Sequence, residues 1–166
     1  MNKEYGIRIA KDRFKFSCSH MTIFPDGTAE RLHGHNYHVR VELTGSEAPQ
    51  GMLYDPRPLK RVLGEICAEL DEKCLMPRGN PALSVNEDGE NNYRVTLFGK
   101  TYSLPKDDTA LLPLPNITME ALAGHVAERL TDALKLRDCR PTISRIRVEV
   151  EESQGQLVWI EYSIES

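Results

Sequence analysis

The chain lacks any apolar run approaching the roughly 20 residues needed to cross a bilayer. It has no basic tract, and its formal net charge is −4. Charge-driven binding to nucleic acid or to an anionic membrane is therefore not expected. The four cysteines, at 18, 67, 74 and 139, form no Cys-x-x-Cys pair. They are too sparse for the disulfide framework of a small secreted domain. Cys18 and Cys67 lie in apolar patterns and are expected as buried thiols, and Cys74 has no base beside it in sequence. The stretch from Met1 to Arg13 is polar and charged, without the apolar centre of a signal peptide, so a cytoplasmic protein is expected. What remains is ordinary for a globular chain: 166 residues, 40% hydrophobic and 28% charged. That is enough for a single domain over residues 1–166 with one core. Metal or acid–base chemistry falls to the five histidines and the carboxylates.

Periodicity organises the chain. Phe14, Phe16, Cys18 and His20 alternate with Lys15, Ser17 and Ser19, the pattern of a half-buried strand. Pro25-Asp26-Gly27 marks a turn. His33, His35, Tyr37, Val39, Val41 and Leu43 then share one face of a second strand. Asp55 and Pro56 open a helix as N-cap and first residue, with Leu59, Val62, Leu63, Ile66 and Leu70 as its apolar stripe. Pro77 and Gly79 are expected to close it. Residues 77–115 read as an insertion containing a hairpin, Tyr93–Phe98 and Thr101–Leu104 joined at Gly99-Lys100. The insertion has too little apolar surface for its own core. Thr118 caps a second helix with Leu122, Val126, Leu130 and Leu134 inward. Ile146, Val148 and Val150 alternate as a strand, and Leu157 to Ile164 forms the last one. This order predicts an α+β fold: an antiparallel β-sheet with two helices packed on one face, plus the inserted hairpin and loop region.

Strand phase then brings three histidines together. His20 ends the first strand and His33 and His35 begin the second, all on the core-facing stripes. Side chains two apart on a strand point the same way. An antiparallel hairpin therefore places the three imidazoles at one end of the sheet. Three imidazoles with one open position form a catalytic zinc arrangement, although imidazole also suits nickel, copper and iron. A lone histidine on such a face is more often a satisfied core residue; three on matched faces favour a metal. His38 falls on the polar face with Arg40 and Glu42 and is expected in solvent, and His125 is expected to pack or cap.

These residues also carry a family likeness. Phe16-Ser17-Cys18-Ser19-His20 followed by Leu32-His33-Gly34-His35-Asn36-Tyr37 resembles the paired zinc motifs of the 6-pyruvoyl-tetrahydropterin and 6-carboxytetrahydropterin synthase family. Gly51-Met52-Leu53-Tyr54-Asp55, Leu70-Asp71-Glu72-Lys73, Asn116-Ile117-Thr118-Met119-Glu120 and Val148-Glu149-Val150-Glu151-Glu152-Ser153 resemble further family segments in the same order. The resemblance implies a T-fold and a homo-oligomer, commonly a hexamer, with active sites at subunit interfaces. It implies Zn2+ on His20, His33 and His35, and a pterin substrate. Two positions depart from the family: Ala29 stands where its cysteine base stands, and Glu72 replaces the histidine of its Asp-His pair. Glu30, three residues before His33, matches a branch that carries a glutamate there and releases 6-hydroxymethyl-7,8-dihydropterin for folate synthesis.

The resemblance thus implies a zinc-dependent lyase acting on 7,8-dihydroneopterin triphosphate. Its product would be a 6-substituted pterin: 6-hydroxymethyl-dihydropterin, 6-carboxytetrahydropterin or 6-pyruvoyl-tetrahydropterin. Glu30 would move protons, helped by Asp71 or Glu72, whose place near a helix C-terminus opposes the dipole and offers no stability motive. Glu152, in phase with Ile146, Val148 and Val150, would accept the pterin's paired N–H donors. Thr118 and Glu120 would lie on the substrate side, although the helix dipole alone accounts for Glu120. Taken as residues alone, Glu30 is an ordinary loop glutamate and Glu152 a surface glutamate after a strand. Two rivals share the metal: a zinc- and pterin-binding T-fold without turnover, favoured by Ala29 and Glu72, and a zinc hydrolase of another small molecule.

Overall fold

The computed structural model describes residues 3–139 and 142–164. Residues 1–2, 140–141 and 165–166, which the single-domain reading takes in, lie outside the described residues. The strands are β1 (Tyr5–Ile9), β2 (Lys15–His20), β3 (His33–Gly45), β4 (Lys73–Pro77), β5 (Ser84–Asp88), β6 (Asn92–Leu97), β7 (Lys100–Pro105), β8 (Thr109–Leu112), β9 (Arg145–Ser153) and β10 (Gln156–Ser163). The helices are α1 (Pro56–Leu70) and α2 (Met119–Ala133).

One seven-stranded sheet runs β10-β9-β3-β2-β4-β8, with β1 also paired to β3. The long strand β3 serves two partners on one flank: its first half pairs with β2, from Lys15↔His38 to His20↔His33, and its second half with β1. Its other flank pairs with β9, where Val39 opposes Val150 and Val41 opposes Val148. Alternation puts Phe16, Cys18, Tyr37, Val39, Val41, Leu43, Ile146, Val148 and Val150 on one face, all buried. Both helices close that face. Leu59, Val62, Leu63, Ile66 and Leu70 of α1 and Leu122, Val126 and Leu130 of α2 join the sheet in one apolar cluster. Each such side chain contributes about 1.5–3 kcal/mol by leaving water. The opposite face carries Arg8, Arg40, Arg147, Glu149 and Glu151 in ion pairs.

Both helix starts follow the sequence. Asp55 caps α1 with its carboxylate on the Arg57 N–H at 2.9 Å, and Thr118 caps α2 by accepting from Ala121 N–H at 3.3 Å. The end of α1 differs from expectation. It stops at Leu70, not at Pro77, because Asp71 turns extended and Glu72 takes a left-handed φ of 57°. The chain then runs as β4. That strand lies parallel to β2 and carries β8 parallel on its far side. The sheet is therefore mixed rather than wholly antiparallel; α1 supplies the crossover that a parallel return requires.

The insertion also differs in detail. Its ends, β4 and β8, extend the main sheet, while β5, β6 and β7 form a separate three-stranded sheet. The β6–β7 turn is Phe98-Gly99, one residue earlier than expected. Both residues have positive φ, 47° and 77°, as a two-residue turn of this hand demands. Leu83, Val95 and Leu97 do not need a core of their own. They share a second apolar cluster with Met21 and Ile23 of the β2–β3 loop and with Cys74 and Met76 of β4.

Candidate metal centre

The β2–β3 register sets the three imidazoles face to face. His20 pairs with His33 across the ladder, and His35 lies one pleat further along β3. Their ligating atoms all fall within 4.8 Å of one another. Ring centroids are 4.8 Å apart for His20–His33 and His33–His35, and 5.3 Å for His20–His35. Gly34 stands between the two β3 ligands, where an added Cβ would press on the Cys18 carbonyl at 3.4 Å.

Backbone carbonyls fix two of the rings. A carbonyl only accepts, so the His20 Nδ1–H donates to Ile117 O at 3.0 Å and the His33 Nδ1–H donates to Arg31 O at 2.7 Å. In each neutral ring this leaves the Nε2 lone pair for another partner. Burial holds His20 below the ordinary imidazole pKa, which favours that neutral form. His35 is held by a carboxylate instead, with Nε2 3.2 Å from Glu152 Oε1. The two carbonyls behind His20 and His33 are the outer contacts that orient metal-binding histidines, whereas His35 meets a carboxylate of the cleft wall. The residues present fit a three-histidine metal site.

The cleft over this cluster has a volume of about 350 Å3 and is lined by Thr22, Glu30, Thr118, Met119, Glu120 and Glu152 besides the histidines and Tyr37. Each carboxylate reaches it differently. Glu152 ends the inward stripe of β9; its Oε1 accepts from Tyr37 O–H at 3.0 Å, and its Oε2 accepts from the exposed Gln156 amide at 3.2 Å. Glu30 arrives from the loop, where a short antiparallel bridge, Ile23↔Ala29, brings its backbone N–H onto Thr22 O at 2.9 Å. Its Oε2 accepts from Thr22 N–H at 3.1 Å and lies 3.9 Å from His33 Nε2. The Thr22 hydrogen bond, against a smaller opposing effect of burial, holds the Glu30 carboxyl below its ordinary pKa. It is an ionised acceptor at neutral pH.

Asp71 and Glu72 are not in this cleft. Asp71 Oδ1 accepts the Ser17 N–H at 2.7 Å, and the Glu72 N–H donates to Ser17 O at 2.7 Å. The pair stitches the end of α1 to β2, so a local stability motive does exist. Glu72 lines a neighbouring opening with Ser17, Asn36, Lys73 and Asp108, and that opening shares His35 and Glu152 with the cleft. His38 is half-buried on the polar face opposite Glu151, and His125 is buried on α2, outside the cluster and the cleft. None of the cysteines lines the cleft. Burial first of all pushes Cys18 and Cys67 up to about 12 and raises Cys74 and Cys139 as well.

Tyr37 is a cleft residue that sequence reasoning passed over, as is Thr22. Tyr37 shares the face of His33 and His35, but its apolar ring reads as core, and its side chain is fully buried. Only the fold shows its hydroxyl between His20 Nε2 and Glu152 Oε1, 3.0 Å from each. Burial pushes the phenol well above its ordinary pKa, with the Glu152 charge adding to the effect, so it keeps its proton. The Ile117 carbonyl and the Thr22 N–H carry no side-chain signal that the sequence could offer.

Comparison with known proteins matches this geometry. The sequence pattern of the family described as 6-pyruvoyl tetrahydropterin synthase matches residues 8–163. A Methanocaldococcus jannaschii protein, provisionally assigned as a 6-carboxy-5,6,7,8-tetrahydropterin synthase, is 34% identical over 143 residues, which cover 86% of each chain. The solved 6-pyruvoyl tetrahydropterin synthase of Plasmodium vivax superposes with a TM-score of 0.90 at 26% identity, covering 97% of this chain and 99% of that one. A variant of that enzyme, with a catalytic glutamate replaced by alanine, superposes with a TM-score of 0.89 at 25% identity over the same shares. With the pattern spanning nearly the whole chain and the T-fold shared end to end, this protein belongs to the 6-pyruvoyl tetrahydropterin synthase family.

Proposed function

We propose that the protein is a zinc-dependent lyase that cleaves the side chain of 7,8-dihydroneopterin triphosphate. The observation that carries this reading is one cleft holding a three-imidazole cluster, an ionised glutamate beside it and a second carboxylate at its wall. His20, His33 and His35 would hold Zn2+, which in such a site supplies Lewis-acid polarisation of substrate hydroxyls. Glu152 presents its two oxygens to the pterin's exocyclic amino group and adjacent ring N–H, a paired, charge-assisted contact. Thr118 and Glu120, at the first turn of α2, border the same space.

Glu30 is the proton carrier. Its carboxylate takes the proton of the side-chain 2′-hydroxyl. The bond between the first and second side-chain carbons breaks, and the electron pair stays on the first carbon, delocalised into the dihydropterin ring. The second carbon leaves as the aldehyde of a two-carbon triphosphate fragment. The proton returned by Glu30 to the first carbon gives 6-hydroxymethyl-dihydropterin, and atoms and charge balance without an oxidant. The catalytic glutamate of the Plasmodium vivax enzyme supports this role for Glu30, as does Ala29, which cannot move a proton. Asp71, whose carboxylate holds β2, and Glu72, which lines the neighbouring opening, are secondary candidates. The same reading takes the chain as one T-fold domain, with the 77–115 insertion packed on it. It places the enzyme in the cytoplasm as a homo-oligomer, a hexamer by family likeness.

Product analysis with purified, zinc-loaded protein and 7,8-dihydroneopterin triphosphate tests the reading. A 6-substituted pterin and a triphosphate-bearing fragment are expected. Pterin binding with no turnover would replace the lyase by a binding protein, and indifference to pterins would leave only a metal site.

A further inference from the structure

We infer that the groove over the N-terminal half of α1 is a binding site for a chain of linked phosphates, separate from the metal cleft. The groove has a volume of about 470 Å3 and is lined by Arg13, Phe14, Arg57, Lys60, Arg61 and Gly64. Four cations line it and no carboxylate does, on a chain whose formal net charge is −4. It shares no lining residue with the cleft over the histidines, so its ligand is independent of the proposed reaction.

Three features of this helix face are unfavourable to the free protein. Positions 57, 60, 61 and 64 follow at helical spacing and therefore share the face. Arg57 stands in the first turn, which holds no acidic residue, and a cation there opposes the helix dipole. Arg57, Lys60 and Arg61 are like charges three and four residues apart, which repel one another. Gly64 interrupts the helix interior, where alanine is the better helix former. Packing does not require that glycine: an added Cβ would meet only Phe14 Cε1, at an ordinary 3.9 Å. A bound polyanion relieves the first two effects, and the missing Cβ leaves the floor of the groove open to it.

The neighbouring acids do not satisfy the groove. The Arg57 Nη2–H donates to Asp55 at 2.7 Å and the Arg61 Nη1–H to Glu65 at 2.8 Å, but both pairs are exposed and contribute little. Each guanidinium keeps further N–H donors. Lys60 makes no hydrogen bond or ion pair among the described residues. Arg13 lies 4.7 Å over the Phe14 ring and forms the opposite wall; that ring is 1% exposed. The groove therefore offers no open aromatic face to a nucleobase, and recognition falls to the phosphates alone. Residues 57 and 64 stand about 10 Å apart along the helix axis, a span for several linked phosphates rather than one.

Calorimetric titration of the full chain with inorganic triphosphate tests this, at about 10 mM salt, where surface charges are little screened. Saturable binding is expected, with ATP bound equally well and orthophosphate at least about ten-fold more weakly. Lys60→Ala and Arg61→Ala should each weaken triphosphate binding by about ten-fold, the lower end for a hydrogen bond to a charged group. Gly64→Ala should raise the Tm of the free protein and weaken binding in the same variant, a combination that a merely structural glycine does not give. His33→Ala, which disables the metal cleft, should bind triphosphate as wild type does. A wild type that binds no triphosphate overturns the inference. So does binding that survives Lys60→Ala and Arg61→Ala but is lost in His33→Ala, which would put the anion in the metal cleft. Equal affinity for orthophosphate would mean charge screening without a site and overturns it as well. None of these results touches the proposed lyase, whose own product analysis can fail without affecting the groove.

Discussion

The imidazole end of the sheet and the β4–β8 flank meet along β2, yet they are built by opposite means. At the imidazole end, a hairpin of neighbouring strands brings His20, His33 and His35 together, and its register follows from alternation alone. On the other flank, β4 and β8 are parallel strands separated by the three-stranded insertion, and they meet only because α1 and that insertion return the chain to the same edge. The first region carries polar side chains on a locally determined frame. The second holds that frame in place through the apolar cluster of Met21, Ile23, Cys74, Met76, Leu83, Val95 and Leu97. Substitutions in the two regions should therefore fail differently: loss of metal or turnover in one, loss of stability in the other.

The largest separation is expected at the ligands. His33→Ala or His35→Ala should remove most bound zinc, measured by atomic absorption, and abolish turnover, while His38→Ala keeps both. Equal metal loss from His38→Ala would contradict the strand phase seen in β3. Next comes Glu30→Gln, which should lower kcat by about two to four orders of magnitude, the usual share of a general acid–base group. Zinc content and pterin affinity should hardly change. Asp71→Asn and Glu72→Gln should each cost far less, because neither side chain lines the cleft; a loss at Glu72→Gln equal to that at Glu30→Gln would move the proton carrier to the neighbouring opening.

On the stabilising side, Leu97→Ala should cost about 2–5 kcal/mol in chemical denaturation, as buried leucines do. Its zinc affinity at low temperature should stay close to wild type. A Leu97→Ala protein of unchanged stability would mean that the insertion is not a support for the Glu30 loop. The smallest effect concerns His125, whose Nε2 is buried without a hydrogen-bond partner among the described residues. Burial lowers its pKa from the ordinary 6.5, with Arg129 acting the same way and Glu128 and Glu69 opposing. The unfolded chain then takes up a proton first as pH falls, so the stability His125 permits above about 6.5 is lost progressively below it. His125→Gln should show a smaller drop in Tm between pH about 7.5 and about 5.5 than wild type.

Much of the imidazole end was legible because its signals are local. Period two placed His20, His33 and His35 on one face, and the same period carried Glu152 inward after Val150. Asp55 and Thr118 announced both helix starts, since a cap is a contact across two or three residues. The end of α1 was misread because Pro77 and Gly79 look like a terminator. The left-handed turn at Glu72 is held from outside the segment, by Ser17 of β2. Asp71 showed no stability motive in the sequence for the same reason: its partner lies 54 residues away.

What the sequence determined alone is the alternation of β2, β3 and β9, the apolar stripes and caps of the two helices, and the grouping of three histidines at one sheet end. Each depends on contacts between residues a few positions apart or across one hairpin, where backbone geometry leaves little choice. Only the tertiary structure decided that β4 and β8 run parallel on the sheet edge, that Asp71 and Glu72 stay outside the cleft, and that the Tyr37 hydroxyl stands between His20 and Glu152. Those arrangements join residues brought together by the closure of long segments. Their partners are backbone groups and buried hydroxyls, which every residue or every aromatic position offers and no local pattern distinguishes.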